Sequence, residues 1–271
     1  PLTNLIPEII ADDNMEHSFK RVMSNLHNAD TRNGLRWREK IKIDGVECTP
    51  RMVRYMKRKA DIIAMLKKQI ADGTFRIRHL KSFETKDGPK VRTVQAPSVI
   101  ERVGSNAIME VVERYLAPIL IENTAASIEG RGPHGLYHKM QEARADNPDL
   151  IYYYQSDYKG YYDHIRHDRL IATIKCYIAD PILLPILIDF VKALHPEENV
   201  GISKGLRSSQ FFGNLYHNDI DHRMEEACGK DRYFRFCDDI YILGSDKREL
   251  WKLRDLLHKE SAPYNLIIKP S

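Results

Sequence analysis

The sequence has no internal repeat, no low-complexity tract and only two tryptophans among 271 residues. No apolar run reaches the roughly 18 residues needed to span a bilayer. The longest candidate, residues 181–194, is interrupted by Pro185, Asp189 and Lys192, so no membrane partner is expected. The N-terminus lacks the charged-then-apolar pattern of a secretory leader. Cysteine is scarce: Cys48, Cys176, Cys228 and Cys237 form no CxxC pair. Their spacing suits neither a zinc site nor a disulfide framework. Reduced thiols in a cytoplasmic protein are the expectation. Net charge is only +4, which by itself says little about partners.

What is present is unevenly placed. Between Thr31 and Lys68 stand twelve Lys/Arg, including Arg32, Arg36, Arg38, Lys40, Arg51, Arg54 and Arg58, against four acids. That local +8 leaves −4 for the rest of the chain. A phosphate backbone attracts such an excess. A solvated helix face accounts for a charge run equally well.

The hydrophobic pattern predicts the elements. Thr49-Pro50 reads as a cap and first turn, and apolar residues from Met52 to Ile70 continue one helix to Gly73. Phe75–Leu80 and Val91–Val94 read as strands around the turn Lys86-Asp87-Gly88. Residues 98–116, 136–145 and 206–226 read as helices. Residues 169–194 read as helix interrupted at Pro181 and Pro185. Residues 151–156, 233–237, 240–243 and 265–269 read as strands, with a helix over 250–257. Strand, helices, hairpin, helix, strand suits an α+β fold whose antiparallel sheet is backed by helices in the ferredoxin-like manner.

Two segments carry chemistry. In Phe236-Cys237-Asp238-Asp239-Ile240, adjacent carboxylates sit at a turn between apolar strands. Like charges side by side repel, and a divalent cation between them removes the penalty. An ordinary aspartate turn is the plain alternative. In Tyr152-Tyr153-Tyr154-Gln155-Ser156-Asp157, an aromatic strand delivers an aspartate at its end. Three carboxylates converging there would hold two metal ions for an in-line displacement. A helix cap at Asp157 is the alternative.

These segments resemble motifs of the reverse transcriptases. Residues 154–165 resemble the first catalytic motif, and Phe236-Cys237-Asp238-Asp239 resembles the aromatic-x-Asp-Asp motif. Residues 201–216 resemble the loop and helix that position template and nucleotide. Lys86-Asp87-Gly88-Pro89-Lys90-Val91-Arg92 resembles the fingers hairpin, and Glu101-Arg102-Val103 the Glu/Asp-Arg-Val helix start. All five stand in the family's order.

The resemblance implies right-hand polymerase fingers and palm, with residues 1–105 as N-terminal extension and fingers and 106–271 as palm with some fingers elements. It implies an RNA-directed DNA polymerase working on an RNA template, a DNA or RNA primer and dNTPs, with two Mg2+ ions replaceable by Mn2+, and an accessory protein as a further partner. Asp157, Asp238 and Asp239 match the metal-binding carboxylates. Lys86, Lys90 and Arg92 match the residues that grip the triphosphate, and Tyr162 matches the aromatic gate against a 2′-hydroxyl. Lys204, Gly205 and Gln210 fall in the substrate-positioning loop and helix. Lys269 falls where the family has a lysine beside the leaving pyrophosphate, a general acid or a plain surface lysine.

The form Gly205-x-x-x-Ser209-Gln210 resembles reverse transcriptases of diversity-generating retroelements, which points to a bacterial or phage retroelement. Lys204 and Cys237 depart from the usual residues at their positions. Family members carry a helical thumb beyond the position of Lys269, so the expectation is a chain without its thumb and with weak processive synthesis. Three readings compete: an RNA-dependent RNA polymerase, disfavoured by Tyr162 and Cys237; an RNA-binding maturase-like scaffold, disfavoured by three intact carboxylates; and a defence-associated enzyme that makes DNA with no ordinary template.

Overall fold

The computed structural model describes residues 1–32, 41–87 and 90–270. Arg36, Arg38 and Lys40 of the basic segment, and Gly88-Pro89 of the expected hairpin turn, lie outside the described residues.

The chain starts with α1 (Ile6–Ile9) and α2 (Asp12–Arg32). Met15, Phe19, Val22, Met23 and Leu26 recur at helical spacing on α2 and are buried. A small hairpin follows, β1 (Ile41–Ile43) and β2 (Val46–Cys48). It turns at Asp44-Gly45, both with positive φ, as a tight hairpin requires. Thr49 then caps α3 (Pro50–Met56) by accepting from the Met52 amide.

The single helix expected up to Gly73 is two, because α4 (Lys59–Ala71) starts afresh after a break at Lys57-Arg58. The break lets α3 pack on α2 and the β1–β2 hairpin while α4 packs on α1, α2 and the long helix α5 (Val99–Leu116).

The strand expected at Phe75–Leu80 is not one. Three of its amides bond to side chains: Ile77 to Asp189 at 3.0 Å, and Arg78 and His79 to Glu101 Oε1 at 2.8 and 3.1 Å, while the Phe75 amide donates to the Gln69 carbonyl at 3.0 Å. The hairpin strands come later, β3 (Lys81–Asp87) and β4 (Lys90–Ala96). Glu101 also closes a capping box with Ser98 at the start of α5.

The second half builds the layer that carries the carboxylates. In chain order it holds α6 (Pro133–Asp146), β5 (Tyr152–Asp157), α7 (Tyr161–His164), α8 (His167–Tyr177), α9 (Leu183–Lys192), α10 (Arg207–Cys228), β6 (Tyr233–Phe236), β7 (Asp239–Gly244) and α11 (Lys247–Ser261). Pro185 does not interrupt a helix as expected. It is the third residue of α9, where no intrahelical donor is needed.

The sheet runs β5-β7-β6, antiparallel throughout. One face, with Tyr233, Arg235, Ile240 and Ile242, is buried beneath α10 and α11. The other face is covered in part by α6, where Leu136, Ala143, Phe234 and Leu243 form a second small core. The last expected strand, 265–269, is reduced to one bridge between Tyr158 and Ile268, with backbone bonds from the Lys269 amide to the Asp157 carbonyl at 2.9 Å and from the Lys159 amide to the Ile267 carbonyl at 2.7 Å. The result is an α+β architecture of antiparallel sheets backed by helices. Among the described residues no helix is long and apolar enough to cross a membrane.

Candidate active site

The pairing register gathers the carboxylates. Asp157, last residue of β5, lies directly opposite Asp239, first residue of β7. Directly opposed residues of an antiparallel pair point to the same face, so the two carboxylates are neighbours across the strands. Asp238 is in the turn before Asp239. That turn is Cys237-Asp238, one residue earlier than the expected Asp238-Asp239, because Asp239 also pairs with Phe236. Cys237 has φ +57°, the left-handed region that costs a non-glycine residue about 1–2 kcal/mol.

Charge accumulates here. Partial burial raises the proton affinity of Asp239, and the Asp238 and Asp157 carboxylates raise it further, against the Lys269 ammonium. The Lys269 Nζ donates to the Asp157 carboxylate. That bond raises the lysine's own pKa.

The donor set suits a hard divalent cation: three carboxylates at one sheet tip, with repulsion visible in Asp239. Among the described residues no group of three or more His, Cys, Asp or Glu is placed so that it could hold a metal ion. Asp157 spends its carboxylate on Lys269 instead.

Tyr162 stands beside the turn. Its hydroxyl lies 3.3 Å from Cys237 Sγ, and its half-buried ring packs edge-on against Tyr161. Gly213 on α10 makes room for both rings: a Cβ there would lie 3.2 Å from Tyr161 and 3.4 Å from Tyr162.

Lys204 is not drawn to the carboxylates of the sheet. Its Nζ pairs with Asp163 at 2.8 Å. Gly205 presses against the carbonyl of Gln95 in β4, and the Ser203 hydroxyl donates to the Gln95 side chain at 3.3 Å. The positioning loop therefore sits at the base of the β3–β4 hairpin. Gln210, exposed on α10, accepts from the Ser127 hydroxyl at 2.9 Å. In the hairpin register Lys86, Lys90 and Arg92 stand opposite Val91, Asp87 and Thr85.

A groove of about 650 Å³ runs between α6 and the carboxylate-bearing face. It is lined by Tyr137, Met140, Tyr153, Gln155 and Tyr241 and reaches Asp239.

Beneath the sheet lies a buried charge pair with little local signature in the sequence. Arg235 on β6 is wholly buried and donates twice to Asp221 of α10, at 2.9 Å from Nε and 2.6 Å from one terminal nitrogen. Its other terminal nitrogen donates to Asn214 Oδ1 at 3.0 Å and to the Cys237 carbonyl at 2.8 Å. Asp221 also accepts from the Tyr233 hydroxyl and bonds His217, both at 2.8 Å. The only sequence signal was an arginine inside an apolar strand, Phe234-Arg235-Phe236, facing the side that the sheet buries.

A family model described as reverse transcriptase (RNA-dependent DNA polymerase) matches residues 64–271. No curated protein matches the sequence. Among solved structures, the chain is similar to telomerase from Candida albicans in complex with a TWJ fragment of telomeric RNA, with TM-score 0.55 and 10% identity over 80% of this chain and 46% of that one. It is also similar to apo telomerase from Candida tropicalis truncated from its C-terminal domain, with TM-score 0.54 and 12% identity over 79% and 54%. At these identities the likeness is one of fold. The chain spans about half the length of the solved structures it matches.

Proposed function

The chain belongs to the reverse transcriptase family, and from that premise we propose that it is an RNA-directed DNA polymerase that adds dNTPs to a primer 3′-hydroxyl on an RNA template. The observation that carries this reading is the register pairing of Asp157 with Asp239 at the sheet tip, with Asp238 in the adjoining turn. Two divalent ions, Mg2+ or Mn2+, would be held by these three carboxylates and would supply charge neutralisation at the attacking and leaving oxygens.

The remaining roles belong to the chain's own groups. Tyr162, wedged against Cys237, presents a ring that excludes a 2′-hydroxyl and so favours deoxynucleotides. Lys86, Lys90 and Arg92 grip the triphosphate from the hairpin; arginine's fork and lysine's point charge both suit phosphate oxygens. Gly205 and Gln210 position template and nucleotide, with Lys204 steadying the loop through Asp163. Lys269 holds a proton at Nζ beside Asp157, ready for the leaving pyrophosphate.

The aromatic groove that ends at Asp239 supports a seat for the primer–template strands, since bases stack on exposed rings regardless of sequence. The Candida albicans telomerase was solved with RNA, which supports an RNA template here. Residues 1–105 serve as N-terminal extension and fingers and 106–271 as palm, with α5 spanning the boundary. A bacterial or phage retroelement, with an accessory protein, is the setting that the Ser209-Gln210 form favours.

The test is primer extension on an RNA template with Mg2+, comparing dNTPs with rNTPs for the wild type and Asp238→Asn. Losing several kcal/mol of transition-state stabilisation corresponds to a rate drop of about 10²–10³-fold in the variant. If neither protein extends a primer while both bind RNA, the fold is an RNA-binding scaffold and the polymerase reading fails. Extension without added template would favour a template-independent enzyme.

A further inference from the structure

We propose that Arg235 is a positioning residue: from beneath the sheet it fixes the Cys237–Asp238 peptide and thereby the aim of the Asp238 carboxylate in the turn and of Asp239 next to it. The inference rests on the polymerase reading for its consequence in catalysis, but its structural claim stands by itself.

A buried guanidinium is expensive unless every donor is used. Arg235 is 0% exposed, and four of its five N–H donors are bonded, to Asp221, Asn214 and the Cys237 carbonyl. Stability alone does not call for this arrangement. Apolar side chains of similar volume commonly replace a buried ion pair at no loss.

What an apolar pair could not do is hold the Cys237 carbonyl. Cys237 is in the left-handed region, which an L side chain disfavours, and its carbonyl belongs to the peptide that leads into Asp238. A donor fixed below that oxygen sets the plane of this peptide. A neutral turn would have several orientations available; a charge-assisted bond at 2.8 Å selects one.

The anchor of Arg235 is equally determined. Asn214, His217 and Asp221 lie at spacings of three and four on α10 and form a polar stripe on one face of a largely buried helix. His217 bonds Asp221 on one side and the Tyr158 hydroxyl on the other, both at 2.8 Å. Tyr158 directly follows Asp157 and also bonds Ser261 of α11 at 2.7 Å. The network thus touches the candidate site at both of its strands. It meets β5 just after Asp157, and it meets the β6–β7 turn just before Asp238. One buried scaffold sets both halves of the cluster relative to α10.

The experiment compares wild type, Arg235→Lys and the double variant Arg235→Met/Asp221→Leu, each checked for folding by circular dichroism and thermal melting. The lysine keeps a charge for Asp221 but shortens the reach toward Cys237. The double variant removes the charge pair together, so no lone ion is left buried. Amide hydrogen exchange is read at Asp238 and Asp239 against amides in the middle of α10. The expected result is exchange at the turn about tenfold faster in folded variants, the scale of one lost charge-assisted hydrogen bond, with α10 unchanged. Primer extension should show kcat for dNTP incorporation falling by a similar factor while the KM for dNTP stays within about threefold, the signature of a misaligned transition state and not of lost binding. Turn exchange equal to wild type in either folded variant overturns the proposal. If the wild type itself extends no primer, the polymerase reading fails and the exchange measurement alone decides the positioning claim.

Discussion

Gly205 stands so close to Gln95 that a Cβ built on it would lie 1.6 Å from the Gln95 carbonyl oxygen. No side-chain rotation relieves that clash, because the obstacle is backbone. Gly205→Ala therefore forces the positioning loop away from β4. We expect a loss of about 1–3 kcal/mol in urea unfolding, typical of overpacking. A raised KM for dNTP should accompany it, since the loop and the base of the hairpin move apart together. Unchanged unfolding and kinetics would show that the two segments separate freely.

Tyr162 offers a cleaner separation of roles. Tyr162→Phe removes the hydroxyl near Cys237 Sγ but keeps the ring. Discrimination against rNTPs should persist. Tyr162→Ala opens the space, and the ratio of kcat/KM for dNTP over rNTP should fall by about tenfold or more, the scale on which a pocket reads a small group. Competing single-nucleotide incorporations measure it directly.

The basic segment survives as a surface in α3 and α4. Arg54 stacks on the Tyr55 ring, and Lys68 pairs with Asp72 at 2.6 Å, an exposed contact that stabilises little. Reversing charge at Arg54, Arg58 and Lys68 should weaken RNA binding and lower the slope of log K against log salt by about 2 for a single strand. Fluorescence anisotropy across a salt series decides. An unaltered slope would mean that RNA passes elsewhere.

Acid should find Asp221. Burial alone would raise its pKa, but the Arg235 charge and His217 hold it well below the ordinary carboxylate range. A carboxylate depressed in the folded state adds stability that is present above its unfolded value, about 3.9. That stability is lost as pH falls toward the folded value. Urea-unfolding free energy should therefore drop steeply below about pH 4. Asp221→Asn should be less stable at pH 7 by about 3–5 kcal/mol, because Arg235 stays buried without its partner, and should show a flatter acid limb.

The sequence carried the site better than its support. Asp157, Asp238 and Asp239 were legible because an aspartate at a strand end and a doubled aspartate at a turn are local signals. Tyr162 was singled out only through the resemblance to the reverse transcriptases. The Asp221–Arg235 pair was not legible, since nothing local says that an arginine in a strand is buried or which helix residue answers it. The break at Lys57-Arg58 was hidden because the apolar period continues across it. The Phe75–Leu80 segment looked like a strand by composition. Its amides are claimed by Asp189 and Glu101, distant in sequence, and no propensity records that. Lys204 was read with the substrate loop, and only geometry reveals its pairing with Asp163.

The strand order β5-β7-β6 has a kinetic consequence. The carboxylate-bearing strands are not consecutive, and Lys269 closes onto Asp157 across 112 residues of chain. Contacts of such long range form late, after local helices and hairpins such as β3–β4 have assembled. Closing so long a loop carries a larger entropy cost than pairing neighbours, so the acidic tip is expected to be among the later parts to assemble. The consequence is that the three carboxylates come together only when the two ends of this half of the chain meet.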